Sequence, residues 1–171
     1  MHTLIIAGIR IGYESAHDLT QEYYLVGGRK LRTFLEGGGI VQSNWQKFYT
    51  TINGQGRLPA AFGGVDWGAA VEISWTAPVR IQSASNIITA PSARRTDEWT
   101  PHGYALVDGT EVATAISGVS GNDYTLATVA GATAYELAYY PKIMMLVDQL
   151  PRQNFNARGE ASSWSLSARE A

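Results

Sequence analysis

The sequence contains no cysteine, and this absence excludes several kinds of site. Disulfide frameworks, thiol nucleophiles, iron–sulfur clusters and thiolate zinc centres all require that residue. The fold must therefore be stabilised by a hydrophobic core. With 171 residues, 45% of them hydrophobic, the chain has the length and composition of one domain that builds such a core.

Charge is also scarce, and neither sign dominates. There are 13 Lys and Arg residues against 15 Asp and Glu residues, a formal net charge of -2. Proteins that bind nucleic acid by neutralising phosphates usually carry a basic surplus, so we expect no sequence-specific nucleic-acid binding. Only three of the cations are lysines. Arginine, tyrosine and tryptophan are enriched in buried parts of protein interfaces, so the composition favours a homo-oligomer.

Long apolar runs are missing as well. The apolar start of the chain is interrupted by Gly8, Arg10 and Gly12, which indicates a first strand and neither a signal peptide nor a membrane span. No other stretch approaches ~18 uninterrupted apolar residues. We expect no membrane span and folding in a cytoplasm.

Hydrophobic residues alternate with polar ones wherever a pattern is readable. Val71, Ile73 and Trp75 alternate in this way, and so do the apolar residues of 164–168. Period-two alternation is typical of half-buried strands, and roughly eight to eleven such segments are present. The sequence therefore predicts an all-β fold, an antiparallel β-sandwich or barrel-like structure, with at most one short helix over Tyr13–Tyr23.

Two pairs of turn residues predict β-hairpins. Gly27-Gly28 would join strands over residues 24–26 and 30–35, because paired glycines supply the positive φ of a two-residue turn. Asp108-Gly109 is the stronger signal, since both of its flanks suit a pleated surface. We predict one β-sandwich domain over residues 1–171, with a possible hairpin-rich insertion at about 91–131.

Two irregular stretches interrupt the alternation. Residues 53–67 mix turn residues with Leu58, Phe62 and Trp67, and we expect these three side chains to pack onto the body of the protein. Residues 90–103 hold adjacent cations, adjacent carboxylates and one Trp. Loops of this composition often contact partners.

The sequence contains no recognisable catalytic set. His2, His17 and His102 lie outside metal-ligand spacing, and no nucleophile elbow or complete phosphate-binding loop occurs. Gly118–Asn122 resembles an ordinary turn. We therefore predict no catalytic, cofactor-binding or metal-binding residues, no cofactor, and a protein that is not an enzyme.

Several stretches resemble small tail-tip proteins of tailed bacteriophages, of the distal-tail type. The resemblance extends along most of the chain, from Arg32 to Glu170, and its stretches are Arg32–Gly37, Gln42–Trp45, Thr50–Pro59, Val65–Trp67, Ala93–Asp97, Pro101–Val107, Tyr139–Pro141 and Trp164–Glu170. The resemblance implies a β-sandwich protomer that forms a ring, expected to be hexameric, between the tail tube protein and the hub or fibre proteins. It implies location in the virion tail after assembly in the host cytoplasm, and it carries no catalytic residue.

Two alternatives stay open at this point. Another tail component, such as a tube or completion protein, fits the same structural motifs. A carbohydrate-binding β-sandwich for host-surface adsorption would need several exposed aromatic side chains in one plane, and the sequence nominates only Trp99 as exposed.

The loop over residues 90–103 supplies a hypothesis for the subunit contact. Its opposed charges lie beside the Trp expected to be exposed, so we assign Arg94, Arg95, Asp97 and Trp99 to contact with a neighbouring subunit or ring. Reversing the charges of the two arginines is then expected to reduce assembly without lowering the stability of the monomer.

Overall fold

The structure is a computed structural model that describes residues 3–156 and 162–171. The described residues form strands and two 3₁₀ turns, Tyr13–Ser15 and Phe62–Gly64. The strands are β1 Ile5–Ile6, β2 Ile9–Arg10, β3 Asp18–Thr33, β4 Gly39–Gly56, β5 Val71–Ser74, β6 Val79–Ser83, β7 Ile87–Thr89, β8 His102–Val107, β9 Thr110–Thr114, β10 Ile116–Ser120, β11 Asp123–Leu126, β12 Ala132–Tyr139, β13 Lys142–Phe155 and β14 Ser162–Glu170. The all-β prediction is confirmed, and the short helix allowed over Tyr13–Tyr23 is one 3₁₀ turn.

Residue contacts divide the chain into two compact units, whereas the sequence predicts one domain. The first unit comprises residues 1–5 and 73–143, and the second comprises residues 6–72 and 144–171. The predicted hairpin-rich insertion at about 91–131 lies within the first unit.

The first unit is a small β-sandwich. One sheet has the strand order β6-β12-β8-β9 and the other has the order β10-β11-β7. Buried side chains from both sheets, among them Ile88, Ala105, Leu126 and Leu137, form one hydrophobic cluster. Alternation along each strand directs these residues inward, because successive side chains of a strand point to opposite faces.

The Asp108-Gly109 hairpin is confirmed. Val107 pairs with Thr110 across the turn, and the two central residues have φ of 49° and 77°. Positive φ at both positions is the geometry of a type I′ turn, which matches the twist of the flanking strands. Pro141 lies between β12 and β13, at a break where its missing N–H is not needed for strand pairing.

The second unit is built on the strand order β13-β14-β4-β3. Trp164, Leu166 and Ala168 of β14 are buried, as their alternation predicts, and Ile52 of β4 is buried too. The opposite face of the same strands carries hydroxyl and amide side chains, as in the paired residues Ser165 and Asn53. The sheet therefore has one apolar face and one polar face.

The hairpin turn predicted at Gly27-Gly28 is wrong. Strand β3 continues through both glycines, and the chain turns at Phe34–Gly38, where Phe34 N–H donates to the Gly38 carbonyl over 2.7 Å. The register with β4 shifts between Gly27 and Arg29. A Cβ on Gly27 would lie 2.5 Å from the Trp45 carbonyl oxygen, so the absence of a side chain permits this close approach.

The irregular stretch after β4 packs two of its three apolar residues. Phe62 is buried, and its ring centroid lies 5.6 Å from that of Trp67 and 5.3 Å from that of Trp164. Leu58 is 56% exposed, so that part of the prediction is wrong.

Candidate interaction surface

The distal half of the β3–β4 hairpin extends beyond the rest of its sheet. Strand β14 pairs only with the Tyr49–Gly56 part of β4, and β3 is the last strand in the order. Residues 25–48 are therefore a two-stranded segment, which we call the ribbon. Within the described residues, both outer backbone edges of the ribbon lack a strand partner. An unpaired edge of this kind is a template for pairing with another chain.

The ribbon exposes large apolar side chains on both of its faces. Leu35 at the turn is fully exposed, and Leu31 is 65% exposed. The exposed set comprises Leu25, Leu31, Phe34, Leu35, Ile40, Val41 and Trp45. Soluble monomers rarely expose large contiguous apolar patches, and such patches usually mark sites of interaction.

The ribbon also has a charge opposite to that of the remainder. It contains four cations and one carboxylate, a formal charge of +3, whereas the other residues hold nine cations and 14 carboxylates, a formal charge of -5. Lys30 and Arg32 are exposed and make no ion pair with any described residue. The ribbon is thus a basic, apolar projection on an acidic protein.

A shallow depression lies at the base of the ribbon, within the second unit. It has a volume of about 260 Å³ and is lined by Trp45, Lys47, Leu146, Arg169 and Glu170. We call it the Trp45 depression. The indole is 47% exposed and the Leu146 side chain is 38% exposed, so both offer apolar surface.

Hydrogen bonds hold two of the charged groups of the depression in place. Lys47 Nζ donates to the Ala171 carbonyl oxygen over 2.5 Å, and Phe48 N–H donates to Glu170 Oε2 over 2.9 Å. The Arg169 guanidinium is exposed and has no side-chain hydrogen bond or ion pair with any described residue. Arg169 is therefore a positive charge available to a partner.

Two tyrosines lie on the same face of the sheet as the depression residues Leu146 and Arg169. Leu146 pairs with Arg169, Arg169 with Tyr49, and Tyr49 with Tyr24, so these four residues share one face of the sheet. The two tyrosine rings stack with centroids 5.0 Å apart. The next pairs along the same face are polar, so apolar surface is concentrated at the ribbon end of the sheet.

The loop nominated from the sequence has a different environment from the one expected. Arg95 is 2% exposed and Trp99 is 9% exposed, so the expectation of an exposed Trp99 is wrong. Arg95 Nη1 donates to the carbonyl oxygens of Thr3 and Trp75 over 3.1 and 3.0 Å, and Nη2 contacts Asp97 Oδ2 at 2.7 Å. Its guanidinium carbon lies 4.9 Å from the centroid of the Trp99 ring.

Arg94 is also engaged within the first unit. Its guanidinium donates to the Pro91 carbonyl and to Asn122 Oδ1, and its Nε donates to the Tyr124 hydroxyl.

Because the Arg95 guanidinium is buried and bonded to Thr3, Trp75 and Asp97, reversal of its charge would disrupt the fold of this loop. For that residue the structure therefore predicts a loss of monomer stability, contrary to the expectation from the sequence.

We expect Asp97 to make the folding stability of the protein decrease at acid pH. The hydrogen bond from Arg95 holds the pKa of this carboxyl below its ordinary 3.8, with a further contribution from Trp99 N–H. Because the folded pKa is the lower one, the stabilisation is complete above about pH 4 and is lost as the pH falls through the folded value. The difference in urea-unfolding free energy between the wild type and Asp97→Asn should shrink between pH 6 and about pH 3. An equal difference at both pH values would contradict the assignment.

Two other kinds of feature are absent from the described residues. No group of three or more His, Asp or Glu residues is placed to hold a metal ion in the described part of the chain. No helix of residues 3–156 or 162–171 is long and apolar enough to cross a membrane.

The class of protein that these observations define is an all-β chain with a β-sandwich unit and a basic, apolar ribbon that extends beyond the rest of its own sheet. Comparison with known proteins adds no relative: no family model matches the chain, and neither a curated protein nor a solved structure matches it.

Proposed function

We propose that the protein is a structural component of the tail tip of a tailed bacteriophage, and that it assembles into a ring through its ribbon. The observation that carries the proposal is the ribbon itself. Its leucines, Phe34 and Trp45 stay largely exposed, and that part of the hairpin has no third strand. A second protein surface would remove this apolar area from water.

The sequence resemblance falls on the same segment. Two of the stretches that resemble distal-tail proteins, Arg32–Gly37 and Gln42–Trp45, lie on the ribbon, and a third, Thr50–Pro59, begins at its base. The stretches that suggest the function therefore include the ribbon, whose exposed apolar side chains a partner would cover. In the proposed virion the neighbours of the ring are the tail tube protein and the hub or fibre proteins.

Opposite charges on the ribbon and on the remaining residues favour a second copy as the partner. The ribbon has a formal charge of +3 and the remaining residues of the chain have a formal charge of -5, so the net charges of a ribbon and of a second copy attract each other. A contact between two different patches of identical chains repeats head to tail, and it closes into a ring when the rotation permits.

A glycan-binding function has lost its principal support. The sequence nominated Trp99 as the exposed aromatic residue, and that side chain is buried against Arg95. Stacking of a sugar on this ring would require the loop to unfold.

The mass of the purified protein in solution tests the proposal. Sedimentation velocity over a dilution series should reveal a closed oligomer whose fraction falls on dilution. Because apolar contacts and ion pairs both contribute, high salt should weaken the oligomer without abolishing it. A protein that sediments as a monomer at every concentration would contradict assembly through the ribbon.

A further inference from the structure

The turn of the ribbon forms an apolar knob with one charge. Phe34 is 54% exposed and Leu35 is fully exposed, and the next residue, Glu36, is the only carboxylate of the ribbon. Within the described residues, Glu36 makes no hydrogen bond or ion pair. A fully exposed leucine beside an unpaired carboxylate is a surface suited to an apolar site rimmed by cations.

The Trp45 depression has the complementary chemistry. Its apolar surface comes from Trp45 and Leu146, and Arg169 lies beside Leu146 with its guanidinium unpaired among the described residues. Its volume of about 260 Å³ lies below the roughly 300–1,000 Å³ of small-molecule pockets. A depression of this size fits one or two side chains of a protein partner.

A ribbon cannot place its knob in its own depression. Trp45 and the turn residue Gly38 are separated by seven positions along one extended strand, which span about 23 Å at ~3.3 Å per residue. The two surfaces therefore point to contact between different molecules.

We propose that the knob formed by Phe34, Leu35 and Glu36 of one copy docks into the Trp45 depression of a second copy, with the carboxylate facing Arg169. This contact rests on the proposed self-assembly and specifies which surfaces make it. The leucine enters the apolar part of the depression, and the ion pair sets the orientation of the ribbon. Repeated head to tail, the contact generates the ring.

Because the native chain has no cysteine, disulfide cross-linking can test the contact without background. Oxidation of the double variant Leu35→Cys, Leu146→Cys should give a ladder of covalent species beyond the dimer on non-reducing gels. Equimolar Leu35→Cys and Leu146→Cys single variants should give the mixed dimer. The matched control pairs Leu35→Cys with Val119→Cys, a residue 60% exposed in the first unit, and should give at least tenfold less product.

A charge exchange provides a second and independent readout. Glu36→Arg and Arg169→Glu should each weaken association about fivefold, and the double variant should recover most of that loss. Both residues are exposed, so the urea midpoints of these variants should match that of the wild type. A merely structural role of either residue would not produce rescue by exchange.

The outcomes separate this contact from the proposed function. Wild-type assembly with equal cross-linking of the Val119→Cys control, or without rescue by charge exchange, overturns the contact and leaves ring assembly standing. A ladder that stops at the dimer supports the contact and contradicts the ring. A monomer at every concentration overturns both.

If Leu35→Asp leaves association unchanged but abolishes sedimentation with phosphatidylserine vesicles, the knob binds membranes and the contact is wrong.

Discussion

Replacing residues 27–46 with Asn-Gly should leave a folded protein that no longer assembles. Val26 pairs with Lys47, so these residues become the flanks of a two-residue turn that matches the twist of the strands. The deleted segment pairs with no third strand and none of its described side chains is buried, so its removal exposes little of the core. The deletion removes six of the seven large apolar side chains that the ribbon exposes and leaves only Leu25.

The expected result is a monomer by sedimentation with an unfolding free energy within about 1 kcal/mol of that of the wild type. The loss of association should be at least a hundredfold, because interface energy is concentrated in a few apolar anchors. A smaller deletion replaces only residues 34–38 with Asn-Gly, using the Thr33–Gly39 pair as the new flank. It removes the knob and retains Trp45, so it should weaken association as well if the knob makes the contact. Full assembly of the larger deletion would show that the ribbon is not the interface.

Local patterns in the sequence predicted the strands that have one buried face. In β5 and β14 every second side chain enters the core, so period-two alternation is visible in the residues themselves. The Asp108-Gly109 turn was predictable for a similar reason, since positive φ at two positions selects this residue pair.

The ribbon could not be predicted in the same way, because its strands have no buried face. Its apolar residues therefore do not alternate cleanly, and the glycine pair in β3 resembles a turn when it is read without its partner strand. Only the approach of Trp45 from β4 explains why side chains are absent there. That contact joins residues 17 and 18 positions apart in the sequence, and no local pattern records it.

The loop over residues 90–103 was misinterpreted for a related reason. Adjacent charges suggest a solvated surface, yet the guanidinium of Arg95 is satisfied by backbone carbonyls of Thr3 and Trp75, 92 and 20 positions away. Carbonyl acceptors are present at every residue, so a sequence cannot indicate which of them will meet a given arginine.

Arg95→Ala should be among the most destabilising single substitutions in the first unit. It removes donors from the carbonyls of Thr3 and Trp75, separates Asp97 from its partner and leaves a cavity beside Trp99. Because the Asp97 side chain is 41% exposed, water can solvate the carboxylate that remains, and we expect a loss of about 3 kcal/mol, toward the low end for buried ion pairs. For a chain of this length that loss lowers the melting temperature by about 6–12 °C.

The exposed arginine of β2 provides the control for this substitution. Arg10→Ala should change the unfolding free energy by no more than about 0.5 kcal/mol, since it removes a surface side chain. Arg95→Lys retains the charge but lacks the planar fork that reaches three acceptors at once, so its loss should fall between those of the two alanine variants. Urea titrations monitored by tryptophan fluorescence measure all three. If Arg95→Ala were no more destabilising than Arg10→Ala, the buried guanidinium would not stabilise this loop, and a role for Arg95 at the subunit contact would again be the better explanation of its presence.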